Sequence, residues 1–158
     1  MDQKLGRRIQ QRKLDLNSIE NVGAFTYCIS TKRYLFLLRN HGKHSGTWGL
    51  VGGKIENNES IISGLLREIQ EELGGTILDP KLIPVEKFTS DKGNFTYHTF
   101  IIPVEQEFIP ILNDEHRGYC WVELHDFPKP LHPGVWRTIN FESVKAKIKT
   151  VEITSQTQ

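Results

Sequence analysis

Residues 53–75 read GKIENNESIISGLLREIQEELGG, and the division of this stretch into loop and helix decides how the rest of the chain is read. Gly52 and Gly53 open a turn that only residues tolerant of positive φ enter cheaply, and Asn57 or Asn58 offers a side-chain oxygen to cap a helix behind it. Over residues 59–73 the pattern is helical: Ile62, Leu65, Leu66, Ile69 and Leu73 recur at spacings of three and four and form one apolar stripe. Glu68, Glu71 and Glu72 fall at i, i+3 and i+4, which gathers three carboxylates on the opposite face. Gly74 stands where a helix C-cap favours glycine.

Like charges on adjacent turns repel by roughly 0.2–0.5 kcal/mol per pair, and no Lys or Arg follows Arg67 within the cluster. A solvated helix face would tolerate this. A hard divalent cation would relieve it, because Mg²⁺ takes carboxylate oxygens and completes its shell with water and substrate phosphates.

Gly53, Glu59, Arg67, Glu68, Glu71, Glu72 and Gly74, with Ile69 in the first apolar position, resemble the G-x5-E-x7-R-E-U-x-E-E-x-G-U signature of the Nudix hydrolases. Seven fixed identities, each of roughly 5–7% frequency, coincide by chance on the order of once in a million chains of this length, so the resemblance outweighs the solvated-face reading. Gly75 departs from it by replacing the usual final aliphatic residue, and Val51 by standing where many members have proline. Both are backbone or packing positions.

The resemblance implies an α/β Nudix fold, a mixed β-sheet sandwiched between helices in α-β-α layers. It also implies a Mg²⁺-dependent hydrolase, with Mn²⁺ as the alternative ion, acting on a pyrophosphate bond in a nucleoside diphosphate derivative: a nucleotide sugar, ADP-ribose, a dinucleotide or a nucleoside triphosphate. By the same resemblance Glu71 and Glu72 hold the metal together with Glu68 and the Gly52 carbonyl. Either Glu68 or Glu115, in the loop before the closing strand, takes the proton of the attacking water. Gly53, Glu59, Arg67 and Gly74 complete the box, with Arg67 pairing to Glu59. The chemistry calls for a cation, since pyrophosphate charge repels a nucleophile until it is neutralised. Removal of pyrophosphate from an RNA 5′ end is one alternative. A non-catalytic nucleotide-sensing domain is another, and the intact set of charged box positions argues against it.

The chain has 158 residues, enough for one domain with a real core, and its 20 Lys and Arg against 19 Asp and Glu give a formal net charge of +1. So balanced a chain offers no general field for nucleic acid, which leaves a small nucleotide as the expected partner; a homodimer is left open. Cys28 and Cys120 lie inside apolar runs with no zinc spacing and read as free, buried thiols. No apolar run is long enough to span a membrane, and the first residues lack the apolar core of a signal peptide. The expected location is therefore cytoplasmic.

Working outward, residues 1–21 form a polar, basic leader, and residues 22–151 the hydrolase domain. Residues 22–29 and 34–38 make a hairpin, and Arg39 directly after it has the guanidinium fork that suits pyrophosphate oxygens. His41 and His44 lie in a polar loop, and residues 48–51 form a short strand into the Gly-Gly turn. Strands are expected over residues 76–78, 82–88, 95–104 and 118–124, with Pro84 confining its strand to an edge or bend. Pro128, Pro130 and Pro133 mark a linker before a terminal helix over residues 140–151, and residues 152–158 are a flexible tail. Phe25, Tyr27, Tyr97 and Trp121 are the aromatic candidates for stacking on a base, against a competing role in the core.

Overall fold

The structure, a computed structural model, describes residues 18–156. Residues 1–17, the greater part of the basic leader, and residues 157–158 lie outside the described residues. The elements in chain order are β1 (Ile19–Cys28), β2 (Arg33–Arg39), β3 (Trp48–Gly49), β4 (Val51–Lys54), α1 (Ile61–Leu73), β5 (Ile83–Thr89), β6 (Phe95–Val104), β7 (His116–Val122), a 3-10 turn (Leu124–Asp126), α2 (Pro133–Ile139) and α3 (Glu142–Gln156).

One mixed sheet carries all seven strands. The expected hairpins β1/β2 and β5/β6 are both antiparallel, while β1 and β6 run parallel over ten paired positions, Ile19 against Phe95 through Cys28 against Val104. Side chains alternate across the pleat, so adjacent residues feed different cores. Ala24, Leu35, Leu37, Phe100 and Ile102 pack under α1 with Leu65, Ile69 and Leu73. Phe25, Tyr34, Phe36 and Ile101 pack on the other face with Val135, Ile139, Val144 and Ile148 from α2 and α3. Helices on both faces of a mixed sheet are the α-β-α layering that the box implied.

The sheet forks where the box begins. One edge of β1 is shared: Thr26 to Cys28 pair with β2, whereas Asn21 to Ala24 pair with β4. The far end of β2 pairs instead with β3, Leu37 opposite Gly49 and Leu38 opposite Trp48. The chain therefore passes from β2 to β1 at buried Leu50, and Arg39, at the end of β2, lines cavities shared with Gly52, Gly53 and Lys54 of β4.

Several local expectations are corrected. Gly52 and Gly53 lie within strand β4, opposite Gly23 and Val22, rather than in a turn. Gly52 has φ +151°, and a Cβ there would come 2.0 Å from the Val22 carbonyl oxygen, so close approach of strands is the reason for glycine. Helix α1 starts at Ile61 with Ser60 as its cap, the hydroxyl accepting from the Ser63 N–H at 3.1 Å; Asn58 takes a left-handed turn position at φ +66° instead of capping. Ile62 and Leu66 of the expected apolar stripe are exposed, while Glu68 and Glu72 are buried. Two of the three carboxylates thus share the inward face with Leu65, Ile69 and Leu73.

Residues 19–21, placed by composition in the leader, begin β1. No strand forms at residues 76–78; Pro84 sits at a register shift of β5, and the closing strand begins earlier, at His116. Pro133 starts a helix inside the expected linker, since proline suits the first helical turn. The supposed flexible tail is helical to Gln156, whose side-chain amide donates to Tyr27 Oη at 3.1 Å and to the Ile29 carbonyl at 3.0 Å. Cys28 is buried, Cys120 only partly, and both are free.

Candidate active site

The buried edge of α1 brings Glu68 and Glu72 against β4. Glu72 Oε1 accepts the Gly52 N–H at 2.7 Å, and a Cβ on Gly53 would stand 2.5 Å from Glu68 Oε1, so only glycine lets that carboxylate lie against the strand. Arg67 organises the outer side. Its Nε and Nη2 donate to the two Glu59 oxygens at 2.8 and 3.0 Å, Nη2 also to the Lys54 carbonyl at 3.0 Å, and Nη1 to Glu68 Oε1 at 2.9 Å and Glu71 Oε2 at 3.2 Å. Arg67 pairs with Glu59 as expected, and through Glu68 and Glu71 it also supplies part of the charge compensation expected of a cation.

Glu72 has no such partner. No arginine or lysine pairs with it among the described residues, and its side chain and that of His116 are each 2% exposed. His116 Nδ1 lies 3.3 Å from Glu72 Oε2, yet out of line for a hydrogen bond, and it has no hydrogen-bond partner among the described residues. Ligand atoms of Glu72, Glu115 and His116 fall within 4.8 Å of one another. Glu115 is held in place through its backbone: its carbonyl accepts the Asn40 N–H at 2.8 Å and its own N–H donates to Asn113 Oδ1 at 3.0 Å.

Electrostatics follow from this burial. Burial, only partly offset by Arg67, pushes the Glu68 carboxyl up to about 7. Burial, reinforced by Glu68 and Glu115, also holds Glu72 well above its ordinary value, against the Gly52 N–H. Burial and then the Arg39 charge push His116 down to about 4, so the ring is neutral. A buried, proton-hungry carboxylate beside a neutral imidazole with an unused nitrogen is a donor set that a divalent cation fits. Glu68 and Glu71 stand on the same cavity, and Gly52 meets Glu72 through its N–H.

The cavity at this cluster, about 490 Å³, is lined by Glu68, Glu71, Glu115 and His116 and by Arg39 and Lys54. A second one, about 240 Å³, shares Arg39, Gly52, Gly53 and Lys54 with it and extends to Asn21, Tyr97 and His132. Arg39 Nε is buried with no hydrogen-bond partner, and Arg39 makes no ion pair among the described residues. His132 Nδ1 accepts the Gly134 N–H at 3.0 Å, which puts the proton of the neutral ring on Nε2. A larger cavity, about 730 Å³, lies away from the box between the stretch after α1 and helix α3, and no box carboxylate lines it.

Of the aromatic candidates, Phe25, Tyr27 and Trp121 are core residues, and Tyr97 alone of the four lines the second cavity. His41 reaches the first cavity, while His44 packs edge-on against His132 at 4.4 Å between ring centres. His116 and His132 were missed from sequence. Register was the missing signal: β2 and β7 pair Arg39 with His116 across a bulge, which no local pattern reveals.

A family model of the NUDIX domain matches residues 20–140. Among curated relatives, the nucleoside triphosphatase NudI of Salmonella arizonae is 28% identical over 129 residues, covering 75% of this chain and 86% of the relative. NudI of Escherichia coli O139:H28 is 29% identical with the same coverage. Among solved structures, the NUDIX domain of Shewanella oneidensis NrtR complexed with ADP ribose aligns with a TM-score of 0.65 at 18% identity, covering 83% of this chain and 88% of that one. The E. coli dihydroneopterin triphosphate pyrophosphohydrolase aligns at 0.60 and 20% identity, covering 85% and 95%. These two share the fold.

Proposed function

The chain belongs to the NUDIX domain family, and from that membership we propose that it hydrolyses nucleoside triphosphates to monophosphate and pyrophosphate, with a divalent cation held by Glu72 together with Glu68 and Glu71. The observation that carries this reading is the bipolar cavity. Carboxylates that call for a cation line one wall, and Arg39, a partly buried guanidinium without a counter-ion, faces them from the end of β2. A buried cation that lacks an anion is costly until one arrives, and a phosphate chain supplies it through charge-assisted bonds. The names of the curated relatives support the triphosphate, as does the adjoining cavity at Asn21, Tyr97 and His132, which offers room for the nucleoside beyond Arg39.

The cation, when bound, neutralises phosphate charge and supplies Lewis acidity. Arg39 grips the phosphates and holds the chain in line. Glu68, with Oε1 held by Arg67 and a proton affinity near neutrality, accepts the proton of the attacking water through its other oxygen. The water oxygen bonds to the α-phosphorus, the bond from that phosphorus to the bridging oxygen breaks, and pyrophosphate departs. Glu115, beside Glu72 and His116, belongs with the cation ligands in this reading rather than with the base. No helix of the described residues is long and apolar enough to cross a membrane. With both cysteines free, we place the activity in the cytoplasm.

The test is product release from a panel of nucleoside triphosphates, nucleotide sugars, ADP-ribose, dinucleotides and capped RNA with Mg²⁺. The highest kcat/KM is expected for a triphosphate. A nucleotide sugar or an RNA end as the best substrate would overturn the assignment.

A further inference from the structure

We infer that His116 supplies a nitrogen ligand to a mixed carboxylate–imidazole cation subsite with Glu72 and Glu115, so that this subsite takes Mn²⁺ in preference to Mg²⁺. The inference deepens the metal-dependent reading above and rests on it. Three observations point to it. The imidazole is buried to 2% exposure beside the Glu72 and Glu115 carboxylates, where solvation cannot satisfy it. Its Nδ1 has no hydrogen-bond partner among the described residues although Glu72 Oε2 is only 3.3 Å away, so the two groups sit together without bonding to each other. Finally, two neighbouring ligands each about 2.1 Å from one ion stand about 3 Å apart in octahedral geometry and about 4.2 Å apart when opposite. The Glu72, Glu115 and His116 ligand atoms all lie within 4.8 Å of one another, and His116 Nδ1 and Glu72 Oε2 stand 3.3 Å apart, so small side-chain adjustments bring the three onto one ion.

The rest of the corner supports a ligand role. Glu72 Oε1 is engaged by the Gly52 N–H, which leaves Oε2 facing the ring. Glu115 is tied by its backbone to Asn40, and its carboxylate already reaches the corner beside Glu72. Carboxylates alone suit Mg²⁺, whereas an imidazole favours borderline ions, and affinity for a nitrogen-containing site rises from Mn²⁺ onward along the first row. Mn²⁺ is the choice within that series because two of the three donors are hard oxygens.

The test is pulsed electron paramagnetic resonance of the full chain loaded with Mn²⁺, without substrate. Nitrogen modulation from a directly bound imidazole is expected in the wild type, and histidine labelled with ¹⁵N should shift it to the ¹⁵N pattern. His41→Asn, which removes the other histidine on the cavity, should retain the signal, and His116→Asn should lose it. In parallel, His116→Asn should weaken Mn²⁺ binding about tenfold or more while changing Mg²⁺ binding less than about threefold. Mn²⁺ bound by oxygen alone in the wild type would overturn the inference and leave the metal-dependent reading standing. Failure of the wild type to bind Mn²⁺ or Mg²⁺ at all would overturn both.

Discussion

At the scale of single residues, the site divides into groups that hold a charge in place and groups that wait for one. Arg67 is fully engaged, with four acceptor partners around it; Arg39 is not, with Nε buried and unpaired. Arg39→Gln should therefore leave the fold intact and raise KM for a triphosphate about 10- to 100-fold, the worth of charge-assisted hydrogen bonds to phosphate. Steady-state kinetics checks it, and an unchanged KM would remove Arg39 from the substrate. Glu68 and Glu115 are separable in the same way. Glu68→Gln should lower kcat by roughly 10² to 10⁴ even at saturating metal, whereas the loss in Glu115→Gln should be recovered by raising the metal concentration. The reverse pattern would put the base in the loop. The box residues were legible because their spacing along one helix is local, and so was Arg39 as a strand-end arginine. His116 was not, since its partners Glu72 and Arg39 are 44 and 77 positions away and meet it only through strand register.

At the scale of elements, what the sequence conveyed depended on how far a pattern reached. The hairpins β1/β2 and β5/β6 came from runs of β-branched and aromatic residues bounded by turn residues, and both are present. The forked pairing of β1 with β2 and β4 did not, because two glycines read in isolation look like a turn and only the neighbouring strand shows them to be a close contact. The amphipathic periodicity of α3 was visible at Phe141, Val144 and Ile148. Its last turn was not, since the polar Glu152 and Gln156 are fixed by hydrogen bonds to Tyr34 and Tyr27 rather than by apolar burial. Ile148 is 3% exposed in the core beneath that helix, so Ile148→Ala should cost about 2–5 kcal/mol by denaturant unfolding while leaving metal affinity unchanged. A cost within about 0.5 kcal/mol, the range of ordinary surface substitutions, would mean that α3 does not seal the sheet.

At the scale of the whole molecule, the buried titratable groups at the two adjoining cavities pull stability in opposite directions with pH. Glu68, raised to about 7, and Glu72, raised well above its ordinary value, contribute stability that is present below the ordinary carboxyl range and lost as pH rises through their folded values. His116 and His132, both pushed down to about 4, contribute stability that is present above 6.5 and lost as pH falls toward 4. Mg²⁺ binds the ionised carboxylates, so its stabilisation should grow from pH 5.5 to pH 8. Glu68 alone should contribute about 2 kcal/mol of that growth, since about 1.5 pH units of the interval lie below its folded value of about 7. Thermal unfolding with and without Mg²⁺ across that interval checks it, and an increment independent of pH would detach the buried carboxylates from the metal. The central claim, that a cation held at Glu72 drives cleavage of a triphosphate gripped by Arg39, is tested most directly by ³¹P NMR of a nucleoside triphosphate with Mg²⁺ and either the wild type or Glu72→Gln. The account predicts that monophosphate and pyrophosphate accumulate with the wild type and form at least about 10²-fold more slowly with the folded variant; equal rates for the two proteins, or an unchanged triphosphate spectrum with the wild type, would contradict it.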